Sequence, residues 1–200
     1  MLTDGYHDVA PGKIATIVTS LEMHAPPEQR PEAGGEGWVL RRLENPGVDE
    51  YRELYSAVGR DWLWFSRLLI SDAELAATIR APGVEVYRLE APEGVGILEL
   101  DFRTQGECEL TFFGVSPGLV GGGAGRWMMN RAVQRAWAAP ITRFWVHTCS
   151  LDHPGALAFY VRSGFTPFRR QVEIADDPRL LGLAPRDSAG HVPLIQAAGL

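Results

Sequence analysis

Residues 107–137 read ECELTFFGVSPGLVGGGAGRWMMNRAVQRAW: an alternating strand, a proline, a run of glycines and then a helix. This junction constrains the fold more than any other stretch. Glycine loses more conformational freedom on ordering than any other residue. Three in succession at a strand-to-helix turn therefore mark a place where the backbone must come close to something. Phosphates are the usual partner, because a helix N-terminus offers unpaired N–H groups and a positive dipole, and absent Cβ atoms let the anion approach.

Spacing separates the versions of such a loop. A nucleotide P-loop needs G-x-x-x-x-G-K-S/T, and no lysine follows these glycines; Lys13 is the only lysine in the chain. A dinucleotide fingerprint needs G-x-G-x-x-G; Gly121 and Gly123 fit its start, but its last position is Arg126. Both fail. The helix is followed by a strand, ITRFWVHTC over 141–149, so strands 107–115 and 141–149 flank a crossover and are expected to run parallel.

The rest of the chain supplies layers around that unit. KIATIVTSLEM (13–23) and WVLRRL (38–43) read as strands, joined by a loop rich in proline, glycine and glutamate. VDEYRELYSAVG (48–59) has helical spacing, RDWLWFSRLLI is apolar and aromatic, and Ser71 with Glu74 forms a capping box that opens another helix. VEVYRLE (84–90) and VGILELDFR (95–103) form a hairpin across APEG. PGALAFYVRSG is a helix with Pro154 near its start and Gly164 past its end; FTPFRRQVEI is a last strand. The order ββααβββαβαβ predicts an α+β fold, a mixed sheet with helices packed on it. No repeat or composition break divides the 200 residues, so 1–200 reads as one domain, with 176–200 an extended tail.

A net charge of −6 argues against a nucleic-acid partner, since neutralising phosphates needs clustered basic charge. Cys108 and Cys149 form no C-x-x-C, no histidine pair has metal-ligand spacing, and no metal is expected. Both cysteines sit in strand-like segments and read as small buried hydrophobes. MLTDGYHDVA lacks a basic, apolar leader and no run is long enough to span a membrane, so a soluble, cytoplasmic protein is expected.

Two motifs in order carry a resemblance over residues 95–170. V-x-P followed by Q/R-x-x-G-x-G/A and a helix is the acetyl-coenzyme A loop of the GNAT (Gcn5-related) N-acetyltransferases. Here Val115, Ser116 and Pro117 match the first part, and Gly123 and Gly125 hold the defining glycine positions, with Gly121 before them. Val120 replaces the usual Gln or Arg. Downstream, HPGALAFYVRSGF resembles N-x-x-A-x-x-F/Y-Y-x-x-x-G-F: Ala156, Phe159, Tyr160, Gly164 and Phe165 match, while His153 stands in place of Asn.

The resemblance implies a GNAT-type, mostly antiparallel sheet whose central parallel pair, 107–115 and 141–149, splays into a V around a pantetheine arm. It implies an acetyltransferase core over 38–175, an extra N-terminal strand and loop over 1–30, and acetyl-CoA as co-substrate. Backbone groups of Phe113, Gly114 and Val115 are expected to hold the pantetheine and polarise the thioester carbonyl, which is oxyanion-hole logic. Val120, Gly121, Gly122, Gly123, Ala124, Gly125 and Arg126 are expected around the pyrophosphate, with His153 as a further contact.

Attack by an amine requires its neutral form, and a carboxylate is the natural proton acceptor. Glu109 and Glu107 lie on one face of the strand entering the loop, where many of these enzymes keep such a residue. Tyr160 falls on the family's general-acid position, and a phenol is protonated at neutral pH. His147 is a secondary candidate. Trp62, Leu63, Trp64 and Phe65 lie where the family builds its variable acceptor side; four large apolar residues in a row read first as core. The function implied is transfer of an acetyl group to a primary amine of a small molecule, amino acid or peptide; the alternative is a non-catalytic acyl-CoA-binding module. Open sheet edges and the long tail are compatible with a homodimer.

Overall fold

A computed structural model describes residues 2–196. Seven strands form one sheet in the order β2-β3-β4-β5-β6-β1-β7. They are β1 (Lys13–Met23), β2 (Val39–Arg42), β3 (Val84–Ala91), β4 (Gly94–Asp101), β5 (Glu107–Val115), β6 (Arg143–Cys149) and β7 (Thr166–Asp176). Every pairing is antiparallel except β5 with β6. The N-terminal strand does not extend an edge: β1 threads between β6 and β7.

Among the described residues five α-helices cover the sheet: α1 (Val48–Gly59), α2 (Ser66–Leu69), α3 (Asp72–Ile79), α4 (Ala124–Trp137) and α5 (Ala156–Arg162). The capping box of α3 is formed, Ser71 Oγ accepting from Glu74 N–H and the Glu74 carboxylate accepting from Ser71 N–H at 2.9 Å. Where the sequence shows only an aromatic run, the chain makes a 3-10 turn over Arg60–Trp62 and the short α2. Leu63 between them is left-handed at φ 52°.

Apolar residues fill both sides of the sheet. On one side Met128, Ala132 and Ala136 of α4 pack on Leu100, Cys108, Leu110 and Phe144. On the other, Tyr51, Leu54 and Tyr55 of α1 pack with Leu75 and Ile79 on Val86 and Ile97. Burying such side chains contributes about 1.5–3 kcal/mol each before entropy is counted. Cys108 belongs to this core, and burial pushes its thiol pKa up. The tail to residue 196 runs in turns and is tied down by Arg179, whose buried guanidinium donates to both oxygens of Asp177 and to the carbonyls of Ser188 and Val192. The final residues of the expected 176–200 tail, 197–200, lie outside the described part.

Candidate active site

The site begins where the sheet comes apart. β5 and β6 pair only at Glu107–Arg143, Cys108–Phe144 and Glu109–Trp145. Beyond Glu109 the two strands diverge. The expected splay is present. Ser116 N–H donates to the Val95 carbonyl at 2.8 Å in register with the β4–β5 ladder. Antiparallel alternation therefore turns Gly114 toward β4, and leaves the N–H and C=O groups of Phe113 and Val115 facing the gap. Gly114 is required by packing: a Cβ there would lie 2.6 Å from Val58 Cγ1. A register shift leaves Thr111 without a partner on β4, and its buried hydroxyl has no hydrogen bond among the described residues.

A cleft of about 720 Å³ passes through the gap. On one side lie the glycine loop, α4 and α5. Gly121 and Gly123 have φ of +82° and +92°, and a Cβ at Gly121 would meet nothing within 4 Å, so that backbone is bare toward the cleft. At Gly123 a Cβ would collide with the carbonyl of Ala33, because the N-terminal loop packs over the turn. The N–H groups of Gly121, Gly123, Ala124, Gly125 and Arg126 have no main-chain acceptor among the described residues. They converge at the positive end of a 14-residue helix. Val120 and Gly122 differ from expectation: their N–H groups are spent on the carbonyls of Pro117 and Leu119. Ala124, expected at the pyrophosphate, is instead fully buried and does not line the cleft, so its N–H is closed off from a ligand there.

Arg126 lines the cleft with a buried Nε that has no hydrogen-bond partner among the described residues, and burial together with Arg30 and Arg162 pulls its pKa down. Arg30 and Arg162 lie close enough to oppose the charge of Arg126, and guanidiniums gathered in this way suit a polyanion. The donors and charges present fit a pyrophosphate.

Tyr160 of α5 stands in the gap, against Phe113 and Phe159 at ring-centroid distances of 6.4 and 5.6 Å. Burial, with Asp152 adding to it, pushes its pKa up, so the phenol keeps its proton. His153 lines the cleft too, but its Nδ1 accepts the Gly155 N–H at 3.0 Å and its ring meets Trp62 edge-on.

The other side is built from side chains. Trp62, Leu63, Trp64 and Phe65 all line the cleft. Trp64 lies against Gly59, where any Cβ would collide with its ring, and donates from Nε1 to Asp152 at 3.1 Å. Asp152 also accepts from Thr148 Oγ1 and Cys149 N–H, fixing the turn after β6. Arg67 reaches the cleft from α2, donating to Glu99 at 2.5 Å; Glu99, wholly buried, also accepts from Tyr51. Burial pushes the Glu99 pKa up despite that ion pair.

The two carboxylates expected as bases part company. Glu107 sits where the strands still pair, bonded to Arg143 at 3.1 Å. Glu109 is at the fork, 3.5 Å from Nδ1 of His147, and His147 is in the cleft wall. The Glu109 carboxylate beside it raises the pKa of His147. Asp152, Arg67 and Glu99 were not legible as site residues, because no motif spans the 32 to 88 positions that separate them from their partners.

Residues 49–165 match the model of the acetyltransferase (GNAT) family. The chain belongs to the GNAT family. Among solved structures of similar fold, a GCN5-related N-acetyltransferase from Sphaerobacter thermophilus is 20% identical with a TM-score of 0.56, over 84% of this chain and 52% of that one. A putative GNAT acetyltransferase from Novosphingobium aromaticivorans is 17% identical with a TM-score of 0.53, over 82% and 67%. A tandem GNAT protein from the clavulanic acid biosynthesis pathway is 17% identical with a TM-score of 0.54, over 82% and 53%. The GNAT chain described here thus spans about half to two thirds of the length of these structures. No curated protein matches it. Among the described residues no cluster of three His, Cys, Asp or Glu is placed to hold a metal, and no helix is long and apolar enough to cross a membrane.

Proposed function

We propose that this GNAT protein is a cytoplasmic, acetyl-CoA-dependent N-acetyltransferase that acetylates a primary amine of a small molecule, amino acid or peptide by direct transfer. We take 38–175 as its catalytic core, with the N-terminal strand and the tail as additions to a single domain. The observation that carries the reading is the gap itself: an opening between two parallel strands, with bare helix-terminal N–H groups on one side and a protonated tyrosine inside it.

The chain's residues divide the work. The N–H groups at Gly121, Gly123, Gly125 and Arg126 hold the pyrophosphate, with the Arg126 guanidinium beside them. Main-chain groups of Phe113 and Val115 hold the pantetheine and polarise the thioester carbonyl. The His147–Glu109 pair accepts the proton that the attacking amine gives up as its C–N bond forms. Glu107 is the more remote carboxylate, and we assign it to holding Arg143. As the C–S bond breaks, Tyr160 gives its proton to the departing sulfur.

Two measurements test this. Calorimetry against acetyl-CoA, ATP and NAD is expected to show binding of the first alone; absence of acetyl-CoA binding overturns the reading. Thiol release across a panel of amines is expected to find a turned-over acceptor. Binding without release for any amine favours the non-catalytic acyl-CoA module instead.

A further inference from the structure

β7 is the anomaly of the fold. It is eleven residues long, one of the longest strands in the sheet, yet it lies at an edge, and ten of its residues are exposed. Long exposed edges invite pairing with another chain, and monomers shorten, bulge or guard them with charge. Beside β7 an apolar patch also lies open: Ile17 of β1 pairs with Val172, and Ile174 follows on the same face, at 39%, 43% and 58% exposure.

The backbone of β7 is poised for a partner. Asp177 N–H donates to the Gly12 carbonyl, in register with the β1–β7 ladder from Lys13–Asp176 to Ser20–Arg169. Alternation then points Ala175, Glu173 and Gln171 at β1, and leaves Ile174, Val172 and Arg170 with N–H and C=O groups facing outward. The bond from Ser150 N–H to the Ile17 carbonyl fits the same phase on the other edge of β1.

Charge selects the occupant. In a two-fold antiparallel pairing, residue i meets the residue reflected through the axis, and outward groups meet outward groups only if the axis passes through a residue. An axis at Gln171 sets Arg169 opposite Glu173 twice, once on each side. An axis at Arg170 or at Glu173 would set like charges face to face, and one at Val172 would leave Arg169, Arg170 and Glu173 all unmatched. A strand guarded against pairing would carry charges that repel in every register; this one is complementary to itself. We infer that β7 is a homodimer interface in which two copies pair antiparallel about Gln171 and join their sheets edge to edge.

The pairing reaches the active site. Arg169, Gln171 and Glu173 share the sheet face that carries Ser20, Val18 and Thr16. Glu173 lines the catalytic cleft, and also an adjoining groove of about 620 Å³ that includes Ser20, Trp145 and Arg169. In the dimer Arg169 of the partner subunit comes to stand beside Glu173, placing a cation from the second copy at the rim of the first copy's acceptor side.

Light scattering on the full chain across a concentration series tests the inference, and needs neither acetyl-CoA nor turnover. The expected result is the mass of two chains. Val172→Pro removes an N–H that only the partner would use, and edge strands tolerate proline at such positions; it is expected to give a monomer with unchanged circular dichroism. Arg169→Glu and Glu173→Arg each set like charges opposite at both ends, and each is expected to weaken dimerisation about tenfold or more. The double exchange is expected to restore it. A wild type monomeric at every concentration overturns the inference. So does a dimer that ignores Val172→Pro and the single reversals, or a folded double exchange that fails to recover.

Discussion

The two walls of the cleft are made by different means. The wall of the glycine loop and α5 is assembled within residues 113–162 and presents main-chain N–H groups, positive-φ glycines and a helix end. The wall facing it brings α1, α2 and the turn after β6 together, and presents Trp64, Arg67, His147 and Asp152 as side chains. Backbone recognition suits a ligand that never changes. Side-chain recognition can be rewritten one residue at a time while the sheet stays intact. In the function proposed above, the first wall holds the co-substrate and the second selects the acceptor.

If the walls are independent, damage to one should spare the other. Arg67→Ala is the most severe test. It leaves the carboxyl of Glu99 buried with only Tyr51, and removing one partner of a buried pair costs about 3–5 kcal/mol. Urea unfolding should show a loss of that size, while folded variant keeps its acetyl-CoA affinity in calorimetry. A loss near zero would mean that Glu99 takes up a proton once Arg67 is gone, leaving no buried charge unpaired.

Tyr160→Phe comes next and strikes chemistry instead of either wall. Removing a positioned general acid typically costs at least about a hundredfold in turnover. Acetyl-CoA affinity should stay as in the wild type, because the ring keeps its packing on Phe113 and Phe165. Equal turnover in the variant removes Tyr160 from the mechanism.

Gly121→Ala probes the first wall alone. An alanine held at φ +82° is strained by roughly 1–2 kcal/mol, and its methyl points into otherwise open space over the loop. Acetyl-CoA affinity should fall about tenfold by calorimetry. The KM for the amine acceptor should not move; a parallel rise would show that the walls are coupled.

Glu109→Gln tests the second wall through pH. In the wild type the Glu109 carboxylate, 3.5 Å away, raises the His147 pKa, so His147 stays protonated to higher pH than a free histidine. Its stabilising contribution is complete below the ordinary histidine value and is lost as pH rises through the raised one. Turnover needs neutral His147, so the rate climbs with pH across that raised value. Removing the carboxylate charge should move the rising limb of kcat/KM to lower pH. A limb that stays in place would assign it to another group.

The same division explains what the sequence could tell. Val115, Pro117, Gly121, Gly123 and Gly125 were legible because backbone contact with an anion forces glycine at fixed spacing, and Tyr160 because it follows at a set distance in α5. Strand alternation identified β1 but not its neighbours: nothing in KIATIVTSLEM says that it will part β6 from β7. Arg67 with Glu99 and Trp64 with Asp152 are contacts 32 and 88 residues apart, made by tertiary packing without local period. Cys149, read as a buried hydrophobe, instead lines the cleft.

Val120 is where the smallest effect and the sharpest reading of the first wall coincide. The family's loop carries Gln or Arg there, and Val120 is 48% exposed at the cleft rim while its own N–H is spent on Pro117. The position thus contributes neither a side-chain nor a main-chain donor, and Arg126 stands as the loop's charged contact. Val120→Arg restores a cation at an exposed rim, where a charge-assisted contact contributes about 0.5–1 kcal/mol, so acetyl-CoA affinity should rise two- to fivefold at low salt. Screening should erase much of the gain as ionic strength increases. If affinity does not change at low salt, the unpaired main-chain donors and Arg126 already satisfy the pyrophosphate, and the missing residue at 120 is a tolerated loss, not a weakness of the loop.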